Sequence, residues 1–202
     1  MLERPFCERL GLPFAVDLGG PLLSAEAAAH PPVFQRARAA VRYDGGARVL
    51  THRLKYGDRA ELARLMGRMM AGAGRELLPE AGLIVPVPLH YGRLWRRRFN
   101  QAAALSAEIA RLSGVAWDGQ VLERRKHTRS QVGLSRSERE GNLQGAFRIP
   151  PRRRHAVEGR RVLLVDDVLT TGATANACAR TLLRAGATDV DVLVFARVVM
   201  TS

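Results

Sequence analysis

Two adjacent carboxylates, Asp166 and Asp167, follow the apolar run Val162–Val165 and precede Thr170-Thr171-Gly172-Ala173-Thr174. Ala175, Cys178, Ala179, Leu182 and Leu183 then recur at helical spacing, so the 170–174 loop opens the N-terminus of a helix. Such a terminus presents unpaired backbone N–H groups and a positive dipole end, which attract an anion. Gly172 lets the backbone approach that anion closely and the threonine hydroxyls add donors, so a single phosphate fits there. Two carboxylates beside it would repel the phosphate unless they face hydroxyls or a metal ion. A ribose 5-phosphate meets both demands, with its phosphate in the loop and its 2- and 3-hydroxyls against the acids. The GxxxxGK[ST] pattern and its lysine are absent, so this is no Walker A loop. The bland alternative is a plain N-cap after a buried strand, which leaves the paired acids without a purpose.

The surrounding elements must hold these groups at one edge of a sheet. The apolar run 162–165 reads as a buried strand that ends at Asp166-Asp167. A helix is expected from about Ala173 to Arg184 with Gly186 as its C-cap, and a strand over residues 189–196. Strand, helix and strand in that order form a βαβ unit, hence an α/β chain with a mainly parallel sheet, in which ligands bind beyond the carboxyl ends of strands. Upstream, a strand is expected over 37–43, a turn at Asp44-Gly45-Gly46 and a helix from Ala47 to Leu54. A further helix from Arg59 to Leu78 carries the stripe Leu62, Leu65, Met66, Met69 and Ala73, in which the methionines fill core space. Leu83–Val85 reads as a short buried strand closed by Pro86-Val87-Pro88. Asn100 can cap a helix from Gln101 to Leu112 that Gly114 stops. A strand over 121–125 precedes a long polar loop, 126–142, with a helical turn near Ser135–Arg139. Pro5, Pro13, Gly19, Gly20, Pro21, Pro31 and Pro32 mark residues 1–36 as an irregular extension to a domain spanning 37–202.

Charge is the unusual bulk property. The 202-residue chain carries a formal net charge of +13 and a pI near 11.3. Its arginines cluster at Arg93 and Arg96–Arg98, at Arg124, Arg125, Lys126 and Arg129, and at Arg152–Arg154 with Arg160 and Arg161. Such clusters attract polyanions, nucleic acid and pyrophosphate-bearing metabolites alike, although a solvated basic surface is the plain alternative. Tyr91, Trp95 and Phe99 are available for base stacking in the first cluster, whereas aromatic residues make up only 5% of the chain. Apolar runs such as Leu83–Leu89 are too short to span a bilayer, so no membrane insertion is expected. Glu3, Arg4, Glu8 and Arg9 rule out a signal peptide within the first ten residues. Cys7 and Cys178, far apart in sequence, read as no disulfide framework, and a cytoplasmic location is expected. Cys178, on an apolar helix face, is expected in the core.

The stretch VLLVDDVLTTGAT (162–174) resembles the phosphoribosyl-pyrophosphate signature of type I phosphoribosyltransferases. Together with LKYGDR (54–59), IVPVPLH (84–90), RRRFNQA (96–102) and RRKHTRSQVGLSRSEREGNLQGAF (124–147), it makes residues 35–200 similar to the ComF/GntX family of competence-related proteins. The resemblance implies the type I phosphoribosyltransferase fold, a central mainly parallel sheet flanked by helices, with a flexible hood loop. It implies binding of phosphoribosyl pyrophosphate with Mg2+ held through the substrate, and transfer of the phosphoribosyl group to a nitrogenous acceptor in a DNA-uptake setting. Val87–Arg93 would then be the pyrophosphate loop, with Val87, Pro88, Arg96, Arg97 and Lys55 binding pyrophosphate and Asn100 and Gln101 nearby. Residues 126–142 would be the hood, with Gln131, Arg136, Arg139 and Asn142 at family positions. Asp166, Asp167, Arg136 and Arg139 would be catalytic. Lys55 reads equally as a solvated charge at a helix end, and Arg139 and Asn142 as groups that orient the hood base.

Two positions depart from the family pattern. Family members carry an N-terminal four-cysteine zinc module, but here Leu10 stands where a second cysteine would complete CxxC with Cys7. A single thiolate builds no tetrahedral structural site, so residues 1–36 are expected to be a degenerate remnant without zinc. Arg98 stands where the family has glycine. Two other functional classes are compatible with the same residues. One is a non-catalytic DNA-uptake adaptor that binds single-stranded DNA or competence and recombination proteins. The other is a regulator that senses phosphoribosyl pyrophosphate without turnover.

Overall fold

A computed structural model describes residues 5–14, 20, 22–56, 59–89, 99–125 and 143–199. The strands are β1 (Ala37–Arg42), β2 (Leu83–Pro86), β3 (Glu123–Arg124), β4 (Phe147–Arg148), β5 (Arg161–Leu169) and β6 (Asp189–Arg197). The helices are α1 (Ala25–Ala29), α2 (Gly45–Tyr56), α3 (Arg59–Ala73), α4 (Gln101–Ser113) and α5 (Ala173–Arg184). Four strands form one sheet in the order β1-β6-β5-β2, and every pairing is parallel. β3 and β4 make a separate antiparallel pair.

The central strands are apolar without alternation because both faces of the sheet are covered. On one face Val85, Leu164, Val192 and Val194 pack with Phe34 and with Cys178 and Leu182 of α5. On the other, Leu163, Leu193 and Phe195 pack with Leu54, Met66, Met70, Leu105 and Ile109 of α2, α3 and α4. Cys7 and Leu10 join the first cluster, so residues 5–14 pack on the same core as the sheet. The Cys7 sulfur accepts hydrogen bonds from the backbone N–H of Leu10 and from the N–H and hydroxyl of Ser24. A Cβ on Gly11 would stand 2.4 Å from the Ala37 carbonyl oxygen, so only glycine lets this segment lie against β1.

At the amino edge of the sheet Asp191, 2% exposed, is gripped by two arginines. Arg36 donates to it through Nε and Nη2 at 3.1 and 2.8 Å, and Arg161 through Nε at 2.9 Å. Burial pushes the Asp191 carboxyl up, but these hydrogen bonds outweigh it and hold the group below the usual carboxylate range.

Several boundaries differ from the sequence expectation for identifiable reasons. β5 does not stop at the acids: Asp166, Val168 and Leu169 continue its ladder with Val194, Ala196 and Arg197. Gly45 and Gly46 are the first turn of α2 and not a separate turn, because Asp44 caps that helix, its Oδ1 accepting from the Ala47 N–H at 3.1 Å. α3 ends at Ala73, and the chain closes through a turn at Gly74, where a Cβ would meet Leu193 Cδ2 at 2.7 Å. The buried stripe of α3 is Ala63, Met66 and Met70, while Leu65 is 51% exposed. The 121–125 strand shrinks to two residues, and the irregular extension contains α1, capped by Ser24. α4 is capped as expected by Asn100 and ends at Gly114 with φ 73°. α5 matches its expected span, although its C-cap is Ala185, with Gly186 following at φ 101°. Cys178 is fully buried as expected, and burial pushes its thiol pKa up. The loop 126–142 lies outside the described residues.

Candidate active site

The carboxyl ends of all four parallel strands meet at one edge, and the acids of β5 lie there. Asp167 forms an ion pair with Lys55, in the last turn of α2, at 3.0 Å from Nζ to Oδ2. The Asp167 backbone N–H donates to Asp166 Oδ1 at 2.8 Å. The three side chains therefore form one electrostatic unit that ties α2 to β5. Burial, and then the charge of Asp167, drives the Asp166 carboxyl well above its ordinary pKa, against the opposing pull of the Asp167 N–H and Lys55. Asp166 is thus the acid whose ionisation the site opposes, and Asp167 is the one that faces the lysine.

Beyond the acids the chain turns into α5. Gly172 is the N-cap residue at φ 78°, a left-handed conformation that glycine adopts without strain, and no side chain caps the helix. The N-cap residue therefore offers no side-chain acceptor to the opening N–H groups of the helix, which begins just beyond the end of β5. The Thr171 hydroxyl oxygen is buried without a hydrogen-bond partner. A buried hydroxyl left unpaired costs about 1–3 kcal/mol, so this group is a donor open to a ligand that reaches the loop. Asn176 holds the first turn of α5 in place, its Oδ1 accepting from the Val33 N–H at 2.8 Å.

Val87 enters from the neighbouring strand. Its N–H donates to the Val165 carbonyl at 2.8 Å, and its carbonyl accepts from Asn100 Nδ2 at 3.3 Å. Asn100 Oδ1 also accepts from the Ala102 N–H, so one side chain caps α4 and anchors it to Val87. Gln101, 3% exposed, keeps its Nε2 without a partner. Val87, Asp166, Thr170, Gly172 and Thr174 line a cavity of about 20 Å³. That is room for about one water, so a sugar phosphate would lie across its mouth rather than inside it.

The structure brings together most of the expected residues that it describes: Val87, Asp166, Asp167, Thr170–Thr174 and Lys55, the last as the Asp167 partner and not as a solvated charge. Pro88 follows Val87 and is buried. Arg96, Arg97, Gln131, Arg136, Arg139 and Asn142 lie outside the described residues. Asn176, Val192 and Val194 escaped the sequence reading, the first because a polar residue in a helix carries no positional signal and the others because they read as ordinary core.

A parallel sheet covered by helices on both faces, with paired acids and a glycine-started helix at its carboxyl edge, defines a type I phosphoribosyltransferase fold. Residues 104–198 match the phosphoribosyl transferase domain family. The chain is 38% identical over 192 residues to the DNA utilization protein YhgH of Salmonella typhi, covering 92% of this chain and 81% of that one. It is 36% identical over 156 residues to competence protein F of Haemophilus influenzae, covering 74% and 67%. Among solved structures, the glutamine phosphoribosylpyrophosphate amidotransferase of B. subtilis aligns at 24% identity and a TM-score of 0.43, over 64% of this chain and 25% of that one. The chain belongs to the ComF family of phosphoribosyltransferase-like proteins. Among the described residues no helix is long and apolar enough to cross a membrane.

Proposed function

We propose that this protein binds phosphoribosyl pyrophosphate with Mg2+ at the carboxyl edge of β5 and transfers the phosphoribosyl group to a nitrogenous acceptor. The observation that carries the reading is the meeting of the Asp166–Asp167–Lys55 unit with an uncapped helix start whose Thr171 hydroxyl has no partner. The 5-phosphate would take the N–H groups of α5 and the Thr171 hydroxyl, and the ribose hydroxyls would take the acids. Mg2+ would be held through the oxygens of phosphoribosyl pyrophosphate, which suit a hard divalent cation, while Asp166 and Asp167 orient the ribose hydroxyls beside it. When bound, the cation offsets the charge of the leaving pyrophosphate.

In the transfer, the acceptor nitrogen lone pair forms the new bond to C1. The bond from C1 to the pyrophosphate oxygen breaks, and pyrophosphate leaves with that electron pair. Positive charge at C1 in the transition state would be stabilised by Asp167 and by Asp166 once it has lost its proton. By the family resemblance, Arg96, Arg97, Arg136 and Arg139 would offset leaving-group charge, and hood closure would exclude water. Calorimetric titration of phosphoribosyl pyrophosphate with Mg2+ into the wild type and Asp167→Ala tests the reading. Tight binding by the wild type and its loss in the variant is expected; equal affinity in both would overturn it.

A second reading, a non-catalytic adaptor for single-stranded DNA, draws support from the opposite edge of the molecule and from the names of its relatives. The 3-10 turn Pro151–Ala156 exposes Arg152, Arg154 and His155, and Arg160 is exposed just beyond it, before β5. Within the turn, Arg153 pairs with Asp118 at 2.9 Å. DNA binding that falls steeply with salt and weakens in Arg152→Ala/Arg154→Ala, with no sugar-phosphate binding, would favour the adaptor.

A further inference from the structure

The outward face of α2 has no part in the site described so far except through Lys55. The helix GGARVLTHRLKY contains no acidic residue. Arg48, Val49, His52 and Arg53 are exposed, and with Tyr43 and Lys55 they line a groove of about 350 Å³. That volume lies within the range of small-molecule sites, about 300–1,000 Å³, unlike the 20 Å³ beside Asp166.

The groove lies at the same edge of the sheet as the acids. Tyr43 follows the end of β1, and its N–H donates to the Arg197 carbonyl, at the end of β6, at 2.7 Å. At the other end of the groove is Lys55, whose amine reaches Asp167. The neighbouring acid Asp44 caps α2 through Oδ1 and is not among the residues that line the groove. Tyr43 and Val49 are 36% and 52% exposed, an aromatic and an apolar surface beside the two arginines. A ring that stacks on Tyr43 and bears an anion for Arg48 or Arg53 complements this lining in shape and charge.

We infer that the α2 groove is a second ligand site, which takes an aromatic nitrogenous base carrying an anionic group, of mononucleotide size. Its place beside the Lys55–Asp167 pair makes this ligand the acceptor. That role rests on the phosphoribosyl reading of the neighbouring site, whereas binding to the groove does not. In the transfer, a base nitrogen not already bonded to a ribose takes C1, pyrophosphate departs with the bonding pair, and the proton lost from that nitrogen or from the amino group conjugated to it leaves with the pyrophosphate.

The test uses the full chain and isothermal titration with adenosine and uridine 5′-monophosphates, with adenine and uracil as uncharged counterparts. At least one monophosphate is expected to bind about tenfold more tightly than its free base, as charge-assisted hydrogen bonds predict. Arg48→Ala and Arg53→Ala together should remove that advantage, and Tyr43→Leu should weaken base and nucleotide alike. These exposed positions leave the melting temperature unchanged. Absence of binding by both monophosphates, binding indifferent to all three substitutions, or binding of a thymidine oligonucleotide alone would overturn the site. Parallel titration with phosphoribosyl pyrophosphate and Mg2+ separates the two readings: nucleotide binding that behaves as stated without phosphoribosyl pyrophosphate binding upholds the groove and removes its role as acceptor site.

Discussion

Lys55 Nζ lies 3.0 Å from Asp167 Oδ2, joining the last turn of α2 to the carboxyl end of β5. The lysine side chain is 29% exposed and the aspartate 15%. Solvent screens such a pair, so its effect on folding is small, while its effect on the adjacent acid is direct.

Lys55→Met should therefore cost less than about 1 kcal/mol in urea unfolding. It removes one of the influences that lower the Asp166 pKa, so the pH at which Asp166 ionises moves further up. An NMR titration of the Asp166 carboxyl carbon checks the direction. A midpoint unchanged from the wild type would show that the two groups are uncoupled.

Much of this arrangement was legible in the sequence, and for a physical reason. VLLVDDVLTTGAT packs a buried strand, its acids, a turn and a helix start into consecutive residues, so their adjacency in space follows from local rules. α5 and the Asn100 cap of α4 were readable for the same reason. The continuation of β5 past the acids was not, because it depends on pairing with β6, a partner separated by a whole helix. The Lys55–Asp167 pair was equally hidden: two charges 112 positions apart meet only through the packing of α2 on the sheet. The apolar spacing of α3 puts Leu65 inside its stripe, but the structure turns Leu65 out because Ala63, Met66 and Met70 face the sheet.

Asp166 gives stability and binding opposite responses to pH. Its folded pKa is raised, by burial first and by Asp167 next, so the unfolded chain ionises it more readily than the folded one. Its contribution to stability is complete below its unfolded value near 3.8 and is lost as pH rises through its folded value. Asp166→Asn should remove this slope and make the free protein more stable at neutral pH, as denaturant titrations across the range would record. A ligand that takes up the ionised acid must expel the proton. Binding of phosphoribosyl pyrophosphate with Mg2+ should thus release protons and tighten as pH rises toward the folded pKa of Asp166. Calorimetry in buffers of differing ionisation enthalpy measures the release, and proton uptake would contradict the assignment.

Asp191 responds in the reverse sense. Arg36 and Arg161 hold its folded pKa below the unfolded value. Its stabilising contribution is present above the unfolded value near 3.8 and is lost as pH falls through the folded one. Asp191→Ala leaves two arginines facing each other across the amino edge, relieved in part by Glu80 and Asp189. The expected loss is about 3 kcal/mol at neutral pH. Because the site lies at the other edge of the sheet, affinity for phosphoribosyl pyrophosphate should stay within about twofold, given that distant sites behave independently.

Thr171 separates a role in binding from a role in folding. Its hydroxyl oxygen is buried and unpartnered, so the free protein gains nothing from it. Thr171→Val keeps the branched shape and removes the unpaired group, and removing such a group is neutral or stabilising. Stability should stay level or rise by up to about 1 kcal/mol. If the hydroxyl donates to the 5-phosphate as proposed, phosphate affinity should move the other way, since a lost hydrogen bond to a charged group weakens binding by about tenfold or more. Titration with ribose 5-phosphate reads this without any transfer chemistry, and Thr171→Ser should restore the affinity. A Val variant that loses stability and binds ribose 5-phosphate normally would make Thr171 a packing residue and leave the helix start of α5 as the sole phosphate ligand.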